Sequence, residues 1–139
     1  GIIADKIYIF ATIYVTNRHQ ATFLKGTLTK LRDFTEGTLL VGGDFNTPLD
    51  PTLDSSSGHS CIPQRNIRSI RNSLNNLGLV DCCRAINPSS KDFTHYSALH
   101  DRYARIDYLF VKQEGLSRLI KATIEPATCS DHNPVRIDL

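Results

Sequence analysis

The segment Lys6-Ile7-Tyr8-Ile9-Phe10-Ala11-Thr12-Ile13-Tyr14-Val15 is an almost unbroken apolar run, rich in β-branched and aromatic side chains. Such a run predicts a strand buried on both faces. The period then changes. Phe23, Leu24, Leu28, Leu31 and Phe34 recur at helical spacing over residues 20–34, predicting an amphipathic helix that Glu36-Gly37 ends. Thr38-Leu39-Leu40-Val41-Gly42 reads as a short buried strand, and Gly42-Gly43 permits a tight turn before Asp44. Strand, helix, strand is a layered α/β signal.

Residues 47–64 lose all periodicity. Pro48, Pro51, Pro63 and the run Ser55-Ser56-Ser57-Gly58 mark a loop. Ile67, Ile70, Leu74 and Leu77 then predict a second helix, with Gly78 at its C-terminal cap. Leu79-Val80-Asp81 is a short apolar link, and Asn87-Pro88-Ser89-Ser90 a turn. From Phe93 the pattern is β: residues 93–97, 103–112, about 121–125 and 135–139. Within 103–111, strict alternation would set Tyr103, Arg105, Asp107 and Leu109 on one face. No internal repeat or second-domain boundary is visible.

A length of 139 residues suits one domain with a real core. The formal net charge of +2 permits contact with a polyanion without demanding it. No apolar stretch is long enough to span a membrane, and Gly1-Ile2-Ile3-Ala4-Asp5-Lys6 lacks the charged and apolar regions of a signal peptide. The chain contains no Met, so a fragment of something longer is expected. Cys61, Cys82, Cys83 and Cys129 have no chelating spacing and are too sparse for a disulfide framework. Free, largely buried thiols and an intracellular setting are the expectation.

Three short signatures carry the chemistry: Gly43-Asp44-Phe45-Asn46, Arg105-Ile106-Asp107-Tyr108 and Ser130-Asp131-His132. Each stands beside a β segment, and polar groups at strand ends can converge although far apart in sequence. Singly, each has a plainer reading. Asp44 and Asn46 fit an ordinary turn, as does Asp131-His132 before Asn133-Pro134, and Asp107 fits an ion pair with Arg102 or Arg105. Together they supply complementary roles for hydrolysis of a phosphate ester. Carboxylates bind Mg²⁺ and accept a proton from water. An amide donates to a phosphate oxygen. A histidine held by a carboxylate, with Asp107 the expected holder of His132, is biased towards the charged form that grips phosphate. His19, His59, His95 and His100 have no chelating spacing and are expected to be solvent-exposed or hydrogen-bonded.

In this order the three signatures resemble the endonuclease/exonuclease/phosphatase superfamily, which includes apurinic endonucleases. The resemblance is strongest to the endonuclease domains of LINE-type non-LTR retrotransposons, through Gly43-Asp44-Phe45-Asn46-Thr47-Pro48-Leu49 and Phe93-Thr94-His95-Tyr96-Ser97-Ala98-Leu99-His100. It extends over essentially the whole chain, beginning at Tyr14-x-x-Asn17.

The resemblance implies a DNase I-like fold of the α/β (α+β) class, a two-layer β-sandwich flanked by helices. It implies one endonuclease/exonuclease/phosphatase-type domain over residues 1–139. Asp44 would orient or deprotonate the attacking water. Asn46 would contact the scissile phosphate, with Tyr14 and Asn17 binding it from the end of the first strand. Asp107 would pair with His132, Asp131 would lie beside the metal together with Asp44, and Thr94, grouped with Asn17 and Arg105 as a substrate-binding residue, would support the metal-side network. Arg102, Arg105 and Lys91 are candidate contacts to the phosphate backbone, against the alternative of a solvated basic face. Mg²⁺, or Mn²⁺ in its place, is the implied cofactor, and DNA the partner, without a membrane. The protein is expected to be monomeric, nuclear where DNA is its substrate, and fused to a reverse transcriptase in a longer parent. One departure stands out. Family members carry, upstream of Tyr-x-x-Asn, an Asn and a metal-binding Glu. This chain begins at about the first matching strand, so an N-terminal portion, and with it the Glu, is expected to be missing, leaving an apolar sheet face exposed. Strand nicking is therefore the leading expectation. The alternatives are an inactive or weakly nucleic-acid-binding remnant, or a phosphoesterase acting on a phosphoinositide, lipid or nucleotide.

Overall fold

The computed structural model describes residues 1–34 and 36–139. In chain order the elements are β1 (Ile2–Ile3), β2 (Lys6–Tyr14), α1 (Gln20–Leu31), β3 (Thr38–Asp44), α2 (Pro51–Asp54), α3 (Gln64–Asn76), β4 (Leu79–Asp81), α4 (Cys82–Ile86), β5 (His95–Ser97), β6 (Arg102–Ala104), β7 (Asp107–Lys112), a 3₁₀ turn (Gln113–Arg118), β8 (Lys121–Ile124) and β9 (Val135–Asp138). A five-stranded sheet of order β1-β2-β3-β7-β4 forms the centre, and β5-β6 and β8-β9 form two small hairpin sheets. Parallel β2 and β3 are joined through α1, and β3 pairs antiparallel with β7.

Period-2 alternation distributes the core over both faces of this sheet. On one face Ile13, Leu39, Val41 and Phe110 meet Leu24 and Leu28 of α1 and Ile70 and Leu74 of α3. On the other, Tyr8, Leu40 and Val111 meet Cys82 and Cys83 of α4 and Ala122 of β8. Each fully buried aliphatic side chain contributes about 1.5–3 kcal/mol relative to exposure. Tertiary burial carries the helices more than local capping does. No side chain caps α1, whose N-terminal flank His19 has φ 56°. By contrast α4 is capped by Asp81, whose carboxylate accepts from the Cys83 and Arg84 amides at 3.0 and 3.2 Å.

Four sequence expectations change. β2 is not buried on both faces: Phe10 is 61% and Tyr14 69% exposed, an aromatic stripe near the edge of the sheet. Gly42 and Gly43 make no turn and lie within β3. Glycine is required at 43 because a Cβ there would stand 1.8 Å from the Ile13 carbonyl oxygen, at φ 144°. Cys61 and Cys129 are exposed, and only Cys82 and Cys83 are buried, all four being free.

The fourth change concerns the expected strand over 103–112, which is two strands. Arg105 and Ile106 leave the ladder because their amides have other acceptors: Arg105 N–H donates to the Asp54 carbonyl at 2.8 Å, and Ile106 N–H to the Thr94 hydroxyl at 3.0 Å. The break is locked by a buried ionic cluster. Arg105 donates from Nε to Asp54 at 2.9 Å and forks onto both oxygens of Asp81 at 3.0 and 2.6 Å. Arg84 also reaches Asp54. The Tyr108 hydroxyl lies 3.1 Å from Asp54 Oδ2 and accepts from the Leu49 amide at 2.9 Å. Arg105 and Asp107 therefore serve different neighbourhoods.

Candidate active site

The ends of three strands meet at one edge. Register pairs Tyr14 with Asp44 and Asp44 with Asp107, so these residues form one cross-strand row. Gly43 allows β2 and β3 to approach closely just before the row. The chain then turns at Asn46, which has φ 52°, and the Asn46 amide N–H donates to Asp44 Oδ1 at 2.8 Å. Asparagine tolerates that left-handed conformation. Its side-chain amide donates to Asn17 Oδ1, fixing the orientation of both amides.

Thr94 sits behind the row, fully buried, and its hydroxyl accepts from the amides of Ile106 and Asp107 at 3.0 and 3.2 Å. Its backbone carbonyl accepts from Asn133 N–H at 2.7 Å, docking the C-terminal signature against β5. An isolated bridge between His95 and His132 continues that contact. His132 thereby presents Nδ1 to Asp107 Oδ2 at 2.8 Å. Asp131 is exposed beside it.

The electrostatics follow from this crowding. Burial raises the Asp44 pKa above the usual carboxylate value, the Asn46 amide opposes the shift, and nearby Asp107 reinforces it. Burial disfavours a charged His132, yet its hydrogen bond to Asp107 and the charges of Asp107, Asp44 and Asp131 outweigh that cost and raise the imidazole's pKa. Ligand atoms of Asp44, Asp107 and His132 lie within 4.8 Å of one another. Two neighbouring carboxylates, with the Asp44 pKa raised by burial and by the Asp107 charge, are a donor set that a hard divalent cation would stabilise, so the residues present fit such an ion. Site residues line two clefts. One, of about 430 Å³, is lined by Asp107, His132 and Cys129 among others. The second, of about 460 Å³, is lined by Asn17, Asn46, His95, His100 and Arg102 among others.

The structure thus brings Tyr14, Asn17, Asp44, Asn46, Asp107, Asp131 and His132 to one edge. Two candidates for substrate contact require correction. Arg105 is 2% exposed and its guanidinium is engaged by Asp54 and Asp81, so it cannot reach a DNA backbone. Thr94 is fully buried and acts on the backbone of Asp107 instead of on substrate. Arg102 stays on a cleft wall and Lys91 is exposed. Sequence reasoning missed His95, whose ring lies 4.6 Å from that of His132. The one available signal was its position next to Thr94 in a β segment, which does not reveal a partner in a remote segment.

No family model matches the chain. Among curated proteins it is similar to a transposon TX1 uncharacterized 149 kDa protein from Xenopus laevis, 33% identical over 104 residues, covering 71% of this chain and 8% of that protein. Among solved structures it is similar to an AP endonuclease from Archaeoglobus fulgidus, with TM-score 0.76 and 19% identity over 99% of this chain and 63% of the other. It is also similar to a 3′ phosphatase from Neisseria bound to a product DNA hairpin, with TM-score 0.75 and 19% identity over 99% of this chain and 62% of that one. The chain therefore spans under two thirds of these structures and a small part of the transposon protein. Among the described residues, no helix is long and apolar enough to cross a membrane.

Proposed function

We propose that this chain, which has the DNase I-like fold of the endonuclease/exonuclease/phosphatase proteins, hydrolyses phosphodiester bonds of DNA as a strand-nicking endonuclease of a retrotransposon-type protein. The observation that carries the reading is the Asp107–His132 pair at 2.8 Å, facing Asp44 across the strand row. Asp107 holds the Nδ1 proton of His132 and leaves Nε2 free to donate to a phosphate oxygen when the ring is charged. Asp44, with one oxygen occupied by the Asn46 amide, keeps the other for an attacking water, and its raised pKa brings it closer to a working base. Asn46, oriented by Asn17, and the exposed Tyr14 are positioned as further donors to phosphate. Mg²⁺, held by Asp44 with Asp131 alongside, would supply charge neutralisation at the phosphate oxygens. The similar structure bound to a DNA hairpin and the similarity to a transposon protein favour DNA over a lipid or nucleotide phosphoester.

The test is nicking of supercoiled plasmid with Mg²⁺ or EDTA, using this chain and its His132→Ala and Asp44→Asn variants. Mg²⁺-dependent nicking is expected, reduced about 10²–10⁴-fold by either substitution. A folded chain that leaves the plasmid intact, or variants that cut as well as the parent, would overturn the assignment. An end-labelled hairpin in the same assay separates internal nicking from trimming or dephosphorylation of a 3′ end.

A further inference from the structure

Around the Asp107–His132 pair lies a second donor group, which adds to Asp131 and His132 a side chain that the proposed hydrolysis does not use, His95. His95, Asp131 and His132 each offer a ligand atom within 4.8 Å of the others. Two of the three donors are imidazoles. Magnesium prefers an all-oxygen octahedron and holds its waters, whereas zinc and its neighbours favour imidazole with carboxylate in a four-coordinate site.

The arrangement also resembles a built site in its supporting contacts. Asp107 takes the Nδ1 proton of His132 at 2.8 Å, which leaves Nε2 as the free nitrogen and sets its tautomer. A carboxylate behind a metal-binding imidazole is the common supporting partner in such centres. His95 contributes a buried Nδ1 that has no hydrogen-bond partner among the described residues. The two rings are pinned from below, because His95 and His132 form a backbone bridge and Asn133 N–H donates to the Thr94 carbonyl at 2.7 Å. Asp131 is exposed beside them.

We propose that His95, Asp131 and His132 form a binding site for a single borderline divalent metal of the Zn²⁺ class, which shares His132 with the Asp44 group and replaces its two carboxylates with His95 and Asp131. Occupancy ties up the free nitrogen of His132. Zinc bound here therefore competes with the phosphate for His132, and the site makes the chain sensitive to zinc in a way that excess Mg²⁺ does not reverse. Metal binding itself does not depend on the hydrolytic reading, whereas the inhibition does.

The test is calorimetric titration of the full chain with Zn²⁺ alone, and visible absorption with Co²⁺ as a spectroscopic substitute. One equivalent is expected to bind, with a cobalt spectrum of nitrogen and oxygen ligation and no thiolate charge-transfer band. His95→Phe, which keeps a ring against His132, is expected to weaken binding by more than the about 10–100-fold that losing an outer partner costs. His59→Phe is expected to change nothing. His95→Gln serves if the phenylalanine variant fails to fold by circular dichroism. In the plasmid assay, His95→Phe is expected to keep Mg²⁺-dependent nicking and to lose sensitivity to zinc. Absence of binding, binding unchanged in both His95 variants, or a thiolate band that Cys129→Ser removes would overturn the site. Zinc binding without any nicking would sink only the hydrolytic reading.

Discussion

Burial opposes a positive charge on His132, but Asp107, hydrogen-bonded at 2.8 Å, and the charges of Asp44 and Asp131 shift the balance, so the ring's pKa lies above the ordinary value. Asp44 is also raised, by its own desolvation first. Both shifts mean that the folded chain holds these protons more tightly than the unfolded chain does. Stability from the His132 pair is therefore fully present below about 6.5 and is lost as pH rises through the raised folded value. Asp44 adds a loss of the same sign in a more acidic window, starting near the ordinary aspartate value of 3.8. In an NMR titration, His132 should titrate above the free imidazole value, and Asp107→Asn should bring it down. A His132 that titrates identically in both proteins would remove the basis for its role. Thiols provide a second check at this scale. Burial, with the Asp81 charge behind it, pushes the Cys82 thiol up to about 12 and also raises Cys83. A thiol reagent at neutral pH should modify Cys61 and Cys129 in the folded chain and spare the adjacent pair.

At the scale of elements, the period of the apolar pattern made β2, α1, β3 and α3 legible, since each buries a face whose spacing is written locally. The break between β6 and β7 was not legible. It exists because Thr94 and Asp54, remote in sequence, offer the acceptors that draw Ile106 and Arg105 off the ladder. Short α4 was missed for a related reason: its five residues depend on the Asp81 cap and on packing against β8. Strand-end acids beside β runs made the grouping of Asp44, Asp107 and His132 readable, whereas His95 is joined to it only by a long-range bridge. Two substitutions test this level. Gly43→Ala inserts a methyl 1.8 Å from the Ile13 carbonyl oxygen and should part β2 from β3, at a cost of about 3 kcal/mol or more by denaturant unfolding. Arg105→Met removes the guanidinium that joins Asp54 to Asp81, leaving Asp54 with Arg84 and the Tyr108 hydroxyl, and should cost about 3–5 kcal/mol. Near-neutral results would mean that the strand approach and the ionic cluster, respectively, do not fix the site's geometry.

For the whole molecule, the decisive arrangement is that β3 and β7 serve both cores. Leu39 and Val41 face the α1/α3 layer while Leu40 and Val111 face the layer of α4 and the β8-β9 hairpin. Of the two layers, only the second has a sheet, the two-stranded β8-β9 hairpin, among the described residues. The site spans both, because Asp44 and Asp107 terminate the shared strands and His132 arrives from the loop before β9. Loosening the α4 layer would expose Leu40 and Val111 and remove support from the strands that carry the acids. The two cores are therefore expected to unfold together. The buried thiols allow a direct measurement, since Cys82 and Cys83 belong to the second core and become reactive only when it opens. Pulsed labelling of that pair along a denaturant gradient should follow the same transition as far-UV circular dichroism, which is dominated by α1 and α3 on the opposite face. Coincident midpoints would establish one cooperative unit whose edge of Asp44, Asp107 and His132 has the stability of the whole. Labelling that begins at lower denaturant would mean that the α4 and β8-β9 layer detaches first, taking His132 away from Asp107 while the helical layer stays folded.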